Sequence, residues 1–225
     1  MSQAGPSELW RGIEVSLLKQ TWSKFFKGKI LDLGCGEGEI ARQVFLNKGE
    51  SFVKVEWGLD NDKEMVRKAK KSGVYKQVIW GDALKIELKD GIADLVFSNS
   101  VLEHIKDIEK VLQEVKRVLR RGGRLIATMP SDKLGEYLGW GKWYARLFNR
   151  KYHHYHLYSK EKWQELLQGA GMELVDSYYY LDRPIIKQWH KLLWLNKLGL
   201  KGRIGAVKAK KLTAGAGLAI LGRKI

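Results

Sequence analysis

Three glycines at alternate positions, Gly34, Gly36 and Gly38, separate a short apolar stretch at residues 30–33 from a helical pattern at residues 38–47. Glycine suits a sharp turn that lies against a ligand, because a Cβ atom there would clash. The first turn of the helix that follows offers unpaired N–H groups and the positive end of the helix dipole. Strand, turn and helix together predict a pocket for a nucleotide-like ligand.

Acidic residues follow two further apolar stretches. Asp60 ends a predicted strand at residues 52–60, where its two oxygens can accept from both hydroxyls of a ribose. Asp82 follows a third predicted strand within residues 76–83. Either Asp can instead be an ordinary turn residue, since Asp is common in turns. The dinucleotide fingerprint needs glycine at position 39, where this chain has Glu39, so the site is of another type.

Histidines supply the candidates for proton transfer. His104 follows the fourth predicted strand, and His153, His154 and His156 lie in a later aromatic segment. A positioned imidazole can take a proton from a hydroxyl or amine near neutral pH. The alternative is structural: His104 and its neighbour Glu103 orient the loop, and the later histidines belong to loop structure. No further Cys or clustered acid completes a tetrahedral set with the later three, so we predict no metal site.

The glycine turn resembles motif I of the class I S-adenosylmethionine-dependent methyltransferases, in which Asp32 closes the first strand. Later features resemble the same family in the same order. Asp82 stands where that family places an acid at the adenine amino group, and Ala83 where a backbone amide meets the adenine ring. Residues 93–104 resemble the fourth strand and the loop beneath the methionine end of the cofactor. The resemblance covers about residues 29–180 and is to the widespread small-molecule type, called methyltransferase type 11.

The resemblance implies a single domain over residues 1–225 that uses S-adenosyl-L-methionine as its cofactor and acts as an enzyme. It implies a Rossmann-like α/β fold: a seven-stranded, mostly parallel sheet with helices on both faces and an antiparallel last strand. The cofactor-binding residues that it implies are Asp32, Gly34, Cys35, Gly36, Gly38, Asp60, Asn61, Gly81, Asp82, Ala83, Ser98 and Asn99. Cys35 is expected as a small residue tolerated in the turn rather than as a nucleophile, because no base stands beside it.

Strand and helix patterns alternate with short connections from residue 29 to residue 129, which is typical of right-handed βαβ units and a parallel sheet. Cofactor binding is then expected at the carboxyl ends of the strands. The sequence predicts helices at residues 62–71, 107–119 and 160–168, and final strands at residues 172–180 and 216–225.

Three segments surround this predicted core. Residues 1–28 carry apolar side chains at helical spacing, and form either a lid over the cofactor or a helix that packs on the sheet. Residues 133–158 hold eleven aromatic or histidine side chains after the end of the fifth strand, and we interpret them as a substrate-facing cap. Residues 182–215 lie between the last two strands, where this family usually has a tight hairpin.

The insertion at residues 182–215 carries nine Lys and Arg residues against Asp182 alone. Its first part predicts a basic amphipathic helix that contains tryptophan, with Pro184 at the first helical position. Such a helix suits an anionic membrane surface. It can also be a cap that merely packs on the domain, or an arm that binds RNA.

Composition sets the outer limits. The chain has 225 residues, 44% hydrophobic content and a net charge of +16, which attracts nucleic acid, anionic lipid or acidic substrates. One cysteine, no signal-peptide pattern and no run of 18 apolar residues favour a cytoplasmic protein, with peripheral contact at the inner membrane face as an option. We predict methyl transfer to a small-molecule or lipid-like acceptor. The alternatives are RNA methylation and a non-catalytic module that binds the cofactor.

Overall fold

The computed structural model describes residues 5–45, 54–200 and 207–225, and their strands form one sheet. The strands are β1 (Ile30–Leu33), β2 (Val55–Asp60), β3 (Tyr75–Trp80), β4 (Ala93–Asn99), β5 (Leu119–Pro130), β6 (Met172–Tyr180) and β7 (Gly217–Lys224). Their order is β3-β2-β1-β4-β5-β7-β6, and β7 runs antiparallel to both of its neighbours. The predicted fold class, with its antiparallel last strand, is confirmed.

Helices cover both faces of this sheet. They are α1 (Pro6–Trp22), α2 (Glu39–Phe45), α3 (Lys63–Ser72), α4 (Ile108–Val118), α5 (Leu134–Leu138), α6 (Gly141–Lys151), α7 (Lys160–Gly169) and α8 (Arg183–Lys197). One buried core lies between the sheet and α1, α2 and α8, and a second lies between the sheet and α4 and α7. The last residues of the predicted helix at 38–47 and the first residues of the predicted strand at 52–60 fall in residues 46–53, outside the described residues.

Side-chain caps fix where several helices begin. The Asp62 carboxylate accepts from the backbone N–H of Glu64 at 2.7 Å at the start of α3, and Ser159 caps α7 as predicted. Asp182 caps α8 by accepting from the backbone N–H of Ile185 at 3.2 Å. Because Asp182 is the cap, Pro184 occupies the second helical position and not the first, which corrects the sequence prediction by one residue.

The fifth strand begins earlier than the glycine pair suggests. Gly122 and Gly123 lie inside β5, where Gly122 adopts a φ of 71° and the pairing with β4 shifts register. A Cβ atom at position 123 would lie 2.8 Å from the carbonyl oxygen of Arg120, so the irregularity depends on glycine. The helix before it, α4, accordingly ends at Val118.

The segment between β6 and β7 is the departure that the sequence indicated. It forms α8 and then returns to the sheet, where Leu212 and Tyr179 exchange backbone hydrogen bonds. Residues 201–206 of the segment, which include Lys201 and Arg203, lie outside the described residues. No helix of the described residues is both long enough and apolar enough to cross a membrane.

Candidate active site

A groove of about 660 Å³ lies at the carboxyl ends of β1, β2 and β4. We call it the strand-end groove. Its lining residues are Gly34, Leu59, Asp60, Asn61, Gly81, Asp82, Ala83, Leu84, Asn99, Ser100, Val101, His104, Ile105, Lys106, Asp107 and Tyr155. Parallel strands bring these turns to one edge of the sheet, as the sequence predicted.

Backbone geometry explains why the first turn of the groove requires glycine. Gly34 adopts a φ of 75°, and a Cβ atom there would lie 2.2 Å from a methyl carbon of Val101. The N–H groups of Gly34 and Cys35 both donate to the carbonyl of Leu59, at 2.8 and 3.0 Å. These two bonds hold the turn against the end of β2.

The Asp60 carboxylate joins two turns of the groove. Its Oδ2 atom accepts from the N–H of Gly36 at 2.8 Å, and its Oδ1 atom accepts from the N–H of Asp62 at 2.9 Å. Each oxygen keeps a second lone pair, so the carboxylate can still accept from a ligand hydroxyl. Asp82 is oriented in a similar way, because its Oδ1 atom accepts from the N–H of Leu84 at 2.9 Å.

Asp32 lies beneath the glycine turn and not in the groove. Its Oδ2 atom accepts a 2.6 Å hydrogen bond from the hydroxyl of Tyr75, and burial raises the pKa of Asp32 to about 7. Burial also raises the pKa of the Cys35 thiol, next to Asp32 and Asp60. A thiol with a raised pKa is a poor nucleophile, in keeping with the structural role expected for Cys35.

The structure brings together some of the predicted cofactor-binding residues and not others. Those that line the strand-end groove are Gly34, Asp60, Asn61, Gly81, Asp82, Ala83 and Asn99. Those outside its lining are Asp32, Cys35, Gly36, Gly38 and Ser98. Gly36 still supports the groove through its bond to Asp60, whereas the Ser98 hydroxyl is buried without a hydrogen-bond partner.

A second cavity of about 210 Å³ adjoins the groove, and we call it the aromatic pocket. It is lined by Ser7, Trp10, Arg11, Ser100, Glu103, His104, Pro130, Leu134, Phe148, Tyr152, His154 and Trp189. The Trp189 ring lies 5.1 Å from Trp10 and 6.0 Å from Phe148, and the Phe148 ring lies 4.5 Å from Tyr152, centroid to centroid. These rings form one continuous apolar wall.

Two residues, Ser100 and His104, line both cavities. The Nδ1 atom of His104 lies 3.2 Å from the carbonyl oxygen of His153, and a carbonyl can only accept, so Nδ1 carries the proton. The Nε2 atom of a neutral ring then holds a free lone pair. Burial lowers the pKa of His104, which keeps the ring neutral at neutral pH.

Two further titratable groups face the aromatic pocket. Glu103 is buried, one of its oxygens has no hydrogen-bond partner, and burial raises the pKa of this carboxyl to about 8. Its other oxygen lies 3.7 Å from Nε2 of His104. Burial lowers the pKa of His154 to about 4, so this ring is neutral as well. At neutral pH both histidines are therefore free of charge and Glu103 is mostly protonated.

The other two predicted histidines are placed differently. His156 is buried, its Nε2 atom lies 2.8 Å from the carbonyl of Ile105, and its Nδ1 atom lies 2.9 Å from the hydroxyl of Tyr158. His153 adopts a positive φ of 53° and contributes its carbonyl to His104. Neither side chain lines the strand-end groove or the aromatic pocket, which favours the structural alternative for both. Among the described residues, no three His, Cys, Asp or Glu side chains are grouped as metal ligands.

Helix α1 contributes residues that the sequence analysis did not single out. The buried Glu14 carboxylate accepts from Arg11 at 2.6 Å, from Asn99 at 2.7 Å and from the hydroxyl of Tyr180. Arg11 also donates to the Ser100 hydroxyl at 2.8 Å. These bonds hold α1 across the strand ends, where it forms one wall of the aromatic pocket. The sequence contained one indication of this role, because Glu14 is a lone acid on the apolar side of the predicted helix.

Comparison with known proteins agrees with this geometry. A family model described as a methyltransferase domain matches residues 31–127. Malonyl-[acyl-carrier protein] O-methyltransferase of Hamiltonella defensa is 32% identical over 120 residues, 53% of this chain and 42% of the relative. Demethylmenaquinone methyltransferase of Thermobifida fusca is 30% identical over 132 residues, 53% of this chain and 55% of the relative. The chain thus spans about half the length of these relatives.

A solved structure extends the likeness to the whole fold. The structure of a possible histamine N-methyltransferase from Thermotoga maritima superposes with a TM-score of 0.68 at 21% identity. The match covers 98% of this chain and 91% of that one. At this level of identity it shows that the two chains share a fold, including the segments on either side of residues 31–127.

The residues of the strand-end groove fit the cofactor of this family. Asp60 and Asp82 are oriented acceptors for hydroxyl and amino groups, and the turn at Gly34 lets backbone approach a ligand closely. The groove is also large enough for a nucleoside with an amino-acid side chain. Residues 31–127 thus match a methyltransferase domain, and the strand-end groove fits the cofactor of the class I S-adenosylmethionine-dependent methyltransferases, the family that the sequence resembles.

Proposed function

We propose that this protein is an enzyme that methylates a small-molecule or lipid-like acceptor held in the aromatic pocket. The observation that carries the proposal is the shared wall of the two cavities. Ser100 and His104 line both, so an acceptor in the pocket and a cofactor in the strand-end groove would meet at these residues. Proximity of this kind supplies much of the rate enhancement in a displacement reaction.

The groove residues would bind and orient S-adenosyl-L-methionine, whose sulfonium methyl group is already activated for transfer. Asp60 would accept from the ribose hydroxyls, and Asp82 with Ala83 would bind the adenine. Asp60 is already fixed by its bonds to Gly36 and Asp62, so little side-chain entropy is lost on binding. The protein's own contribution is thus alignment and exclusion of water.

His104 is the best-placed proton acceptor. Its tautomer leaves a lone pair on Nε2, and its ring stays neutral at neutral pH. A neutral imidazole at the junction of the two cavities can take the proton from an acceptor hydroxyl or amine. Glu103 lies 3.7 Å from Nε2 and would stabilise the imidazolium only in its ionised form, which its pKa of about 8 places above neutral pH. His154 lines the pocket but its pKa of about 4 makes it a weaker base.

The relatives support an acceptor of small size. One is named for malonyl-[acyl-carrier protein] and another for demethylmenaquinone, and neither name refers to nucleic acid. The aromatic pocket of about 210 Å³ suits a compact apolar group better than a nucleotide loop. These observations favour methylation of a small molecule over methylation of RNA.

Incubation with methyl-labelled S-adenosylmethionine and a cell extract tests the proposal. The extract is then separated into lipid, nucleic-acid, protein and small-solute fractions. We expect label in the lipid or small-solute fraction, and its loss with Asp60→Ala. His104→Ala should keep cofactor affinity within a few-fold while turnover falls by about 100-fold or more. Label confined to RNA, or no label although the cofactor binds, would overturn the proposal.

Peripheral contact between residues 182–215 and the inner face of a membrane, in a cytoplasmic protein, belongs to the same proposal. Its support is α8, which has no acidic residue and carries exposed Lys187, Lys191 and Lys197 together with Trp194. The lysines would interact with anionic headgroups and the indole with the interface.

A further inference from the structure

Two tryptophans of the predicted substrate cap do not line the aromatic pocket. Trp140 at the start of α6 and Trp143 in its first turn are 66% and 73% exposed. Leu147, one turn further on, is also exposed. The spacing of three and four residues places all three on one side of α6. The inner side of the same helix faces the pocket through Phe148.

Helix α8 repeats this division. Its inner side supplies Trp189 to the aromatic pocket, whereas Trp194 is 46% exposed. Leu198, four residues further on, is 70% exposed, and Leu200 is exposed as well. Large apolar side chains in contact with water cost free energy, and a contiguous group of them marks an interaction site.

The two outward groups form one surface because α6 and α8 pack together at His190. The Nε2 atom of His190 lies 2.5 Å from the Tyr144 hydroxyl of α6 and 3.3 Å from the indole nitrogen of Trp194. The Trp140 ring lies 6.2 Å from the His190 ring. Tryptophans from both helices therefore surround one buried residue.

The charge around these side chains has a single sign. The sequence has no Asp or Glu between Glu136 and Glu161, and none after Asp182. The exposed basic residues on the two helices are Lys142, Arg146, Arg150, Lys151, Arg183, Lys187, Lys191 and Lys197, of which Arg183 pairs with Glu136. Lys151 and Lys197 are close enough that their repulsion lowers the pKa of Lys197. An anionic partner would relieve that repulsion.

We propose that α6 and α8 together form a docking surface for an anionic membrane, and that the acceptor is drawn from that membrane into the aromatic pocket. The second half rests on the proposed methyl transfer, whereas the first extends the proposed membrane contact of residues 182–215 to α6 and does not depend on methyl transfer. Exposed tryptophans among lysines are the composition of interfacial membrane helices. The exposed leucines favour lipid over RNA, because aliphatic side chains gain from an acyl layer but do not stack on bases.

The arrangement gives α6 and α8 two functions at once. Their outer sides would lie in the headgroup region, while Phe148 and Trp189 on their inner sides form the pocket wall. An amphiphilic acceptor would then pass from the bilayer to His104 along apolar surface, without crossing water. A docking segment limited to residues 182–215 would not include the α6 tryptophans.

Flotation with lipid vesicles tests the docking surface directly. We expect the protein to float with vesicles of equal parts phosphatidylglycerol and phosphatidylcholine, and at least about tenfold less with pure phosphatidylcholine. The double variant Trp140→Ala, Trp143→Ala and the double variant Lys142→Glu, Lys191→Glu should each weaken binding about tenfold or more. The matched control is Lys70→Glu, Lys71→Glu on exposed positions of α3, which should bind as the native chain does.

Circular dichroism and cofactor affinity, measured by calorimetry, check that each variant is folded. Failure of the methyltransferase proposal leaves vesicle binding intact, so the two proposals fail separately. Equal flotation of the native chain and both surface variants would overturn the docking surface. Flotation that does not depend on the phosphatidylglycerol content of the vesicles would also overturn it, as would binding of RNA without binding of vesicles. Label that moves from small solutes into lipid when anionic vesicles are added supports the membrane as the source of the acceptor.

Discussion

The strand-end groove and the aromatic pocket adjoin each other, yet they are built in different ways. The groove is built mainly of the turns that follow β1, β2, β3 and β4, and its polar groups are backbone atoms and short acidic side chains. The pocket is made of large side chains from α1, the loop after β4, α6 and α8, which are far apart in the chain.

The difference separates two kinds of specificity. A site made of backbone turns tolerates little change, because glycine conformation and short hydrogen bonds define it. A site made of side chains on peripheral helices can change its lining without disturbing the sheet. We therefore expect substitutions in the groove to abolish cofactor binding and substitutions in the pocket to alter the choice of acceptor.

The largest effect is expected from Asp60→Ala. The change removes the carboxylate that accepts from the N–H groups of Gly36 and Asp62, and with it the proposed acceptor for the ribose hydroxyls. Affinity for S-adenosylmethionine should fall by about 100-fold or more, since charge-assisted hydrogen bonds are lost. Calorimetric titration measures this. Asp90→Ala, at an exposed surface carboxylate, is the matched control, and equal affinities for the two variants would contradict the role of Asp60.

Glu14→Ala should destabilise the protein, and it should disturb the aromatic pocket more than the strand-end groove. It leaves Arg11, Asn99 and Tyr180 without their common acceptor in a buried position. Loss of one partner from a buried charged cluster costs about 3 kcal/mol or more. Urea unfolding measures the change in the free energy of unfolding. Gln20→Ala, at an exposed position of the same helix, should cost less than about 1 kcal/mol, and a similar cost for both would refute the argument.

Trp189→Ala tests whether the two cavities act separately, because Trp189 lines the aromatic pocket and not the strand-end groove. It removes the ring that contacts both Trp10 and Phe148, so the KM for the acceptor should rise by about tenfold. Cofactor affinity should stay within a few-fold of the native value. Steady-state kinetics with the labelled acceptor provides the measurement, and Trp189→Phe should restore most of the loss. A parallel loss of cofactor affinity would show that the two cavities are not separable.

The smallest effect concerns pH. Burial raises the pKa of Glu103 from an ordinary 4.5 to about 8. The folded protein thus keeps a proton that the unfolded chain has lost, and the free energy of unfolding falls as the pH rises through this range. His154 changes stability only below pH 6.5, so it does not contribute between pH 6.5 and 8, where Glu103 and Asp32 titrate.

In that window the Tm of the native chain should fall by about 3 °C more than the Tm of Glu103→Gln. Asp32, with its pKa of about 7, contributes equally to both proteins and cancels in the difference. Differential scanning calorimetry at several pH values provides the curves. Parallel curves would mean that Glu103 is already ionised in the folded state at neutral pH.

The same contrast explains how much the sequence predicted. The sheet and the groove depend on local signals, such as apolar stretches, the glycine turn and the acid after each strand, and these predicted the fold and placed Asp60 and Asp82 in the groove. Periodicity also indicated α1 and α8. Local patterns do not report how peripheral helices pack, however, because packing depends on contacts between distant segments.

The histidines and tryptophans show that limit. Composition and the position after the fifth strand grouped the aromatic residues of 133–158 as one cap, whereas the structure turns Phe148 inward and Trp140 outward. His156 follows the same rule, since only its contacts with Ile105 and Tyr158 reveal that both ring nitrogens are engaged. Which side of a helix faces the core is set by its neighbours.

The hydrogen bonds of Glu14 oppose any movement of α1 away from the sheet. Asn99 and Tyr180 donate to this carboxylate from two different strands, so any shift of α1 away from the sheet breaks both bonds together. A partly shifted helix would leave the buried Glu14 with Arg11 of the same helix as its donor, without the two donors from the sheet, which is an unfavourable arrangement. We therefore expect any opening of α1 to occur in one step, without populated intermediates. Entry to the pocket would then be a discrete gating event, rather than a gradual widening with temperature.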